Sequence, residues 1–325
     1  MNKHLSVWEL INQSLRKNIP VMLLYVLESS GSSPGRQGFF MVVNANSDMA
    51  GSIGGGIMEH KFVEMAGEQL RVMRSASGVS NIRKQVHDKS TGKNQSGMIC
   101  SGEQTILLYP VQEKDAAVIQ TIITSLEQNK NGTLMLSPEG IQFDEQFLEN
   151  DYYYNFNSDH DWTYKEKTGY KNSLFIIGGG HCALALSGLM SQMDFYIRIY
   201  DDRADLKTML ENNFVHEKKT IGDYSQLANF IPPGKNHYVV IMTIGYRSDD
   251  IALRALLGKE FRYIGVLGSK KKMEKLLDDY SKEGIAAELF QKIHTPVGLA
   301  IKSHTPEEIA VSIAAEIIRI KNQSL

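Results

Sequence analysis

Disulfides are the first thing this sequence cannot build. Its 325 residues contain two cysteines, Cys100 and Cys182, far apart and too few for a disulfide framework or a complete zinc site. Free thiols predict a reducing, cytoplasmic setting, and no metal site is expected. The chain has no run of 18 apolar residues, which excludes an ordinary membrane span. Its first residues, MNKHLSVWEL, hold no continuous apolar stretch, so no signal peptide is expected. An excess of charge of one sign is also missing. Lys and Arg number 35 against 37 Asp and Glu, a net charge of -2, which argues against a nucleic-acid partner. No Ser/His/Asp set and no H-E-x-x-H pattern declares a hydrolytic or metal centre. With 42% apolar residues the chain is nonetheless an ordinary folded protein, long enough for two domains with cores of their own.

Glycine is what the sequence has in telling places. Residues 174–203 open with the apolar run Leu174-Phe175-Ile176-Ile177, right for a fully buried strand. Gly178-Gly179-Gly180 ends it, and Ala183 takes the third place of a G-x-G-x-x-G/A fingerprint begun by Gly178 and Gly180. Gly178 serves a tight turn, and Gly180 lets backbone approach a phosphate. A helix starting near His181 points its free N–H groups at that anion. A second strand over 195–200 ends in Asp201-Asp202, where a ribose-binding acid belongs. The alternative is a doubly wound core whose glycines serve turn geometry without any ligand.

In the first half, apolar spacing predicts a helix over 6–16, a strand over 20–27 and a small-residue loop over 28–35. A second strand follows over 39–44, with a turn at 44–48. Gly51-Ser52-Ile53-Gly54-Gly55-Gly56 then leads into a helix over 57–73. Three successive glycines are entropically costly, and their N–H groups can line a concave anion or ring site. Glu59 either hydrogen-bonds donors on a heterocycle or answers the helix dipole, and His60 reads as a surface residue. Residues 80–96 read as an exposed hairpin or loop, with Lys84, Lys89 and Lys93 solvated. A strand over 104–111, a helix over 115–128 and a hairpin over 132–144 follow. The aromatic stretch 151–164 reads as edge strands packing on a sheet, and 166–172 as the domain boundary.

The second half repeats strand and helix: strands over 238–243 and 263–267, helices over 249–257, 270–280 and 309–320. Thr305, Pro306 and Glu308 form a capping box with proline in the first turn. The expected fold class is α/β, an N-terminal mixed α/β domain (1–168) plus a C-terminal Rossmann-like, doubly wound parallel-sheet domain (173–325). Gly268-Ser269 ends a strand and is either a second anion contact or a helix start, and Lys270-Lys271-Lys272 reads as solvated. Cys100, beside Gly102, is a small buried hydrophobe or a thiolate that holds sulfur or a soft metal. Cys182 packs against the sheet, or has its pKa lowered by the helix terminus.

With these motifs the chain resembles the XdhC/CoxI family, accessory proteins for maturing xanthine dehydrogenase, carbon monoxide dehydrogenase and related molybdenum hydroxylases. The resemblance covers most of the chain except roughly 114–171. Its most specific part is Gly31-Ser32-Ser33-Pro34-Gly35 with Gly38, then Gly51-Ser52-Ile53-Gly54-Gly55-Gly56 and Glu59. Cys100 with Gly102 resembles a Cys-Gly-Gly element, Ser101 replacing the middle glycine. Gly178-Gly179-Gly180-His181, Asp201-Asp202-Arg203, residues 265–269, Pro296-Val297-Gly298-Leu299 and residues 305–313 match as well. The chain departs at Thr243-Ile244-Gly245-Tyr246, where Thr-Arg-Gly-His is usual, and at Ala300, Lys302 and His304, where Asp, Gly and an acid are usual.

The resemblance implies a molybdenum-cofactor-binding chaperone that assists sulfuration and delivers the cofactor to an apo-hydroxylase of the xanthine dehydrogenase type. Gly31, Ser32, Gly38, Ser52, Gly54, Gly55, Gly56 and Glu59 are then the cofactor-binding candidates, and Cys100 the candidate sulfur carrier. Gly178, Gly180, His181, Ala183, Asp201, Asp202, Arg203, Gly268 and Ser269 are the candidates for NAD(P) or another nucleotide. A cysteine desulfurase and a second copy of the chain are further implied partners. The alternatives are an NAD(P)- or flavin-dependent oxidoreductase, or a nucleotide-sensing subunit without chemistry of its own.

Overall fold

Alternation of side chains across one central strand organises the first of two units, Met1–Gly169 and Tyr170–Leu325. The structure is a computed structural model that describes residues 4–72, 81–86, 102–146, 148 and 150–323. In the first unit, α1 (Leu5–Arg16) leads to β1 (Val21–Gly31), β2 (Phe40–Asn44), β3 (Met49–Gly51) and α2 (Gly56–Val72). After β4 (Asn81–Val86), β5 (Gly102–Pro110) and α3 (Ala116–Glu127) come β6 (Gly132–Ser137), β7 (Gly140–Asp144), β8 (Tyr152–Ser158) and β9 (Asp161–Thr168).

The first sheet runs β3-β2-β1-β5-β4 and is antiparallel. Residues 21–27 are buried without a break because both faces are covered. Leu23, Tyr25 and Leu27 point to one core with Trp8 and Ile11 of α1 and Ile119 and Ile122 of α3. Met22, Leu24 and Val26 point to the other, against Met58, Phe62, Ala66 and Leu70 of α2, a four-residue spacing that puts one helix stripe on the sheet.

β1 runs past its apolar stretch into the residues expected to be loop. After a bulge between Val26 and Glu28, Ser29, Ser30 and Gly31 pair with Gln104, Glu103 and Gly102. Ladder hydrogen bonds carry a strand beyond the core, where no apolar side chain is needed. Of the polar stretch 80–96, residues 81–86 form the edge strand β4, with Lys84 paired to Glu103 at 2.6 Å; the rest lies outside the described residues.

A second antiparallel sheet, β7-β6-β9-β8, follows. β8 is an edge strand as the aromatic pattern predicts, while β9 lies inside and buries Trp162 and Tyr164 in the first core. Buried Glu166 of β9 accepts hydrogen bonds from the Tyr25 hydroxyl at 2.6 Å and the Tyr164 hydroxyl at 2.9 Å. Burial and the Glu166 charge push both phenols well above their usual pKa.

The second unit alternates strand and helix: β10 (Asn172–Ile177), α4 (His181–Met190), β11 (Phe195–Asp201), α5 (Lys207–Leu210), β12 (Glu217–Thr220) and α6 (Leu227–Phe230). Then come β13 (Gly234–Ile241), α7 (Tyr246–Leu256), β14 (Phe261–Val266), α8 (Lys270–Lys282), α9 (Ala287–Phe290), β15 (Ile293–His294) and α10 (Pro306–Asn322). The sheet is parallel, in the order β12-β11-β10-β13-β14-β15. Leu174 and Ile176 face a core with Leu186 of α4 and Ile313 of α10. Phe175 and Ile177 face the opposite core with Leu253 of α7 and Leu276 of α8. This is the Rossmann arrangement, with the strand order reversing between β10 and β13. Thr305 caps α10, Pro306 lies in its first turn and Glu308 closes the capping box.

Candidate functional site

Two glycine loops carry the candidate residues, one in each unit. In the first unit the loop before β2 and the loop before α2 meet backbone to backbone. A Cβ on Gly54 would lie 2.4 Å from the Gly35 nitrogen, and one on Gly35 would lie 2.0 Å from the Ile53 oxygen. Only hydrogen fits at either place. The buried amide of Gln104 clasps the two loops, donating to the Gly35 carbonyl at 2.9 Å and the Ile53 carbonyl at 3.3 Å. Gly102 closes the group, its α-carbon against Ser32 and Ser33.

Gly54, Gly55 and Gly56 all have positive φ, 127°, 74° and 69°, and this turn curls the loop around a carboxylate. The Ser52 hydroxyl and the amides of Ile53 and Gly55 donate to Glu59 Oε2 at 2.6, 2.9 and 2.9 Å. The Gly54 amide donates to Ser52 Oγ at 3.1 Å. Glu59 thus takes the place an external anion would have in a nest of this kind. A Cβ on Gly55 would meet nothing within 4 Å. Ser32 is exposed, and Gly31 has φ 60° with its carbonyl accepting from Arg36 at 2.8 Å. Gly38 stands apart from this clasp, its α-carbon backed by Glu166 and Tyr152. His60 is a surface residue paired with Glu64. Cys100 lies outside the described residues.

In the second unit the fingerprint sits at the carboxyl end of β10. Gly178, with φ 103°, passes so close to β13 that a Cβ would lie 2.4 Å from the Met242 oxygen. Gly180 caps α4, and a Cβ there would meet nothing within 4 Å. Ala183 is buried against the sheet, while His181 is exposed at the helix start.

Asp201, expected to face a ribose, is fully buried and engaged. It accepts from the Gly179 amide at 2.6 Å and the Arg203 amide at 2.9 Å. The Arg203 guanidinium adds a two-pronged contact, Nε at 2.8 Å and Nη2 at 2.7 Å. Although burial opposes its charge, these donors hold the carboxyl below its usual range. Asp202 points outward and accepts from the Tyr224 hydroxyl. Asp201 therefore braces the glycine loop, and Asp202 is the exposed acid at this strand end.

Further along the same sheet edge, Ser269 caps α8 by accepting from the Lys272 amide at 3.3 Å, and Gly268 packs on Lys272 and Met273. Lys272 is not the solvated lysine its sequence neighbours suggest. Its ammonium bonds Asp249, which is fully buried and also accepts from the Thr243 amide and hydroxyl. This pairing spans two helices, and no local pattern announces it. Tyr246 turns its hydroxyl to Asp279 of α8, and the Cys182 thiol is pushed up, by burial first and then by Glu307, rather than lowered by its helix. Among the described residues no group of three His, Cys, Asp or Glu is placed to hold a metal, and no helix is long and apolar enough to cross a membrane.

Comparison with known proteins agrees with this division. Residues 174–317 match the XdhC Rossmann domain, and residues 14–79 match the XdhC and CoxI family. YqeB of Escherichia coli K12 is 23% identical over 311 residues, 95% of this chain and 45% of that protein. A probable xanthine dehydrogenase component of Bacillus subtilis 168 is 34% identical over 154 residues, 47% of this chain and 44% of that protein. The chain thus spans less than half the length of these curated relatives. The crystal structure of a xanthine dehydrogenase from Bacillus halodurans shares the fold, with a TM-score of 0.71 at 23% identity over 98% of this chain and 96% of that one.

Proposed function

The chain belongs to the XdhC and CoxI family, and from that premise we propose that it is an accessory protein of a xanthine dehydrogenase-type molybdenum hydroxylase. Its cargo is the molybdenum cofactor, which it binds in the first unit, helps to sulfurate and hands to the apo-hydroxylase. The observation that carries this reading is the nest around Glu59. Three donors converge on one carboxylate oxygen, a donor set suited equally to a phosphate oxygen, and the Gly55 α-carbon leaves room for approach.

The residues present therefore fit an anionic cargo. Ser52, Ile53 and Gly55 hold its phosphate once Glu59 swings away, and Gly35, Gly54 and Gln104 keep the loops in place. When bound, the cofactor supplies a phosphate anchor and a molybdenum dithiolate, the part that receives sulfur. Cys100 is the residue assigned to sulfur relay, with a cysteine desulfurase as donor and a homodimer as the working form. In the second unit, Gly178, Gly180 and Ala183 hold the phosphates of NAD(P) or a similar nucleotide. An unobstructed Gly180 at the start of α4 supports that assignment.

Mass spectrometry of small molecules that copurify with the full chain tests the whole. Oxidised pterin is expected; tightly held NAD or flavin with turnover would point to an oxidoreductase instead. Cys100→Ser is expected to leave cofactor binding intact while lowering client sulfuration. Fully sulfurated client from that variant would remove the thiol from the relay.

A further inference from the structure

We propose that β8 is the surface on which two copies of this chain meet, pairing antiparallel about a two-fold axis at Tyr154 so that their second sheets join into one. This rests on the homodimer proposed above and names the strand that forms it. A bare edge strand is a template for a further strand, and folded proteins blunt such edges with charge, brevity or cover. The other sheet edges among the described residues follow that rule. β12 reads Glu217-Lys218-Lys219-Thr220, and β4 carries Arg83 and Lys84. β3 and β15 have three and two residues, and β7 lies against α3. β8 ends its sheet with seven residues, Tyr152-Tyr153-Tyr154-Asn155-Phe156-Asn157-Ser158, and no charge. Tyr153 and Phe156 are 51% and 44% exposed.

The strand also fits itself. The Lys167 amide donates to the Asp151 carbonyl at 3.1 Å, and Tyr152 stands opposite Glu166 of β9. Antiparallel alternation therefore turns the backbone groups of Tyr153 and Asn155 toward β9 and those of Tyr154 and Phe156 outward. A bulge between Phe156 and Ser158 ends the regular stretch, which leaves Tyr154 at the centre of residues 152–156. With the axis there, Tyr154 exchanges two hydrogen bonds with the partner's Tyr154. Phe156 comes opposite the partner's Tyr152, and Tyr153 opposite the partner's Asn155. Side chains 152, 154 and 156 share one face of the sheet, so every cross-strand pair on that face is aromatic, a favourable pairing. No charge meets a like charge in this register. The same patch serves both copies, as a closed two-fold contact requires.

The test is analytical ultracentrifugation of the full chain over a concentration series, in parallel on two double variants, Tyr153→Lys with Asn155→Lys and Tyr153→Lys with Asn155→Glu. Both positions are exposed and lie on the face away from the core, so each variant is expected to melt with the parent. The unmodified chain is expected to be a dimer. Because position 153 faces position 155 of the other copy, the two-lysine variant sets like charges opposite each other at both ends of the contact. It should weaken dimerisation by about tenfold or more. The lysine–glutamate variant sets opposite charges there and should recover a dimer close to the parent's. Equal dimerisation in all three proteins would overturn the β8 interface while leaving the homodimer standing. Equal weakening in both variants would overturn the axis at Tyr154. A monomeric parent would overturn the interface and the homodimer together, leaving cofactor binding to be judged by the copurified pterin.

Discussion

Both units wrap a glycine loop around a carboxylate of their own, and the two carboxylates differ in how firmly they are held. Glu59 comes from the helix that follows its loop, is part-exposed, and receives a hydroxyl and two amides. Asp201 comes from the neighbouring strand, is sealed from water, and carries Arg203 as a fixed counter-ion. A buried, paired carboxylate is costly to extract, whereas a part-exposed one can exchange its donors for water or for another anion. The same local device is thus sealed from water in one unit and part-exposed in the other. The glycines divide likewise. Gly54 and Gly178 are pressed against neighbouring backbone, while Gly55 and Gly180 face open space.

The largest effects should come from the pressed glycines. Gly178→Val and Gly54→Val each place a Cβ 2.4 Å from a backbone atom, at φ 103° and 127°. Strain plus overpacking is expected to cost about 2–6 kcal/mol. Chemical denaturation should show this as a shifted midpoint for the affected unit; parental midpoints would dissolve the division between pressed and open glycines.

Asp201→Asn comes next, at about 1.5–3 kcal/mol for lost hydrogen bonds to a charged group. Its pH dependence sharpens the comparison. The folded pKa of Asp201 lies below its ordinary value of 3.8, so its contribution is complete above the unfolded pKa. It disappears as pH falls through the lower folded one. Parent and variant should therefore differ most near neutrality and converge in acid, and a constant gap between their stability curves would contradict this.

For the open glycines a smaller difference is expected. Gly55→Val, at φ 74°, should lose about 1–3 kcal/mol to backbone strain and lose cofactor affinity more than stability. Gly180→Val, at an ordinary backbone angle and with nothing within 4 Å, should melt within about 0.5 kcal/mol of the parent. Glu59→Ala should change affinity rather than stability. Freeing the Ser52, Ile53 and Gly55 donors should strengthen binding of molybdenum cofactor about tenfold, or about 1.4 kcal/mol. A weaker affinity would instead mean that the Glu59 carboxylate itself contacts the heterocycle.

The strand-and-helix rhythm of the second unit and its fingerprint were legible because each depends on residues near in sequence. So was the helix after Gly54-Gly55-Gly56. Asp201 and Asp202 were not separable, since adjacent residues on a strand differ only in which side the sheet buries. Lys272 read as one of three solvated lysines because Asp249 lies 23 positions away, across a strand. Gln104, which clasps the two loops of the first unit, has partners 69 and 51 positions distant and carries no motif of its own. The end of β1 escaped for a related reason: residues 29–31 are held by pairing with β5 rather than by hydrophobicity.

Glu166 has a consequence for how this protein can be cut and recombined. The stretch 80–173 lies between the two segments that match family models and invites treatment as a removable cassette. Yet Glu166 ties β9 to Tyr25 in the middle of β1, and Trp162, Tyr164, Leu134 and Leu136 share one core with α1 and β1. Excising the second sheet would leave the Tyr25 hydroxyl without its acceptor and open the core that α1 and α3 otherwise share with it on that face. A chimera that exchanges this stretch with a relative must carry the facing residues of α1 and β1 along with it, so the working unit of inheritance here is the whole of Met1–Gly169 rather than its glycine loops.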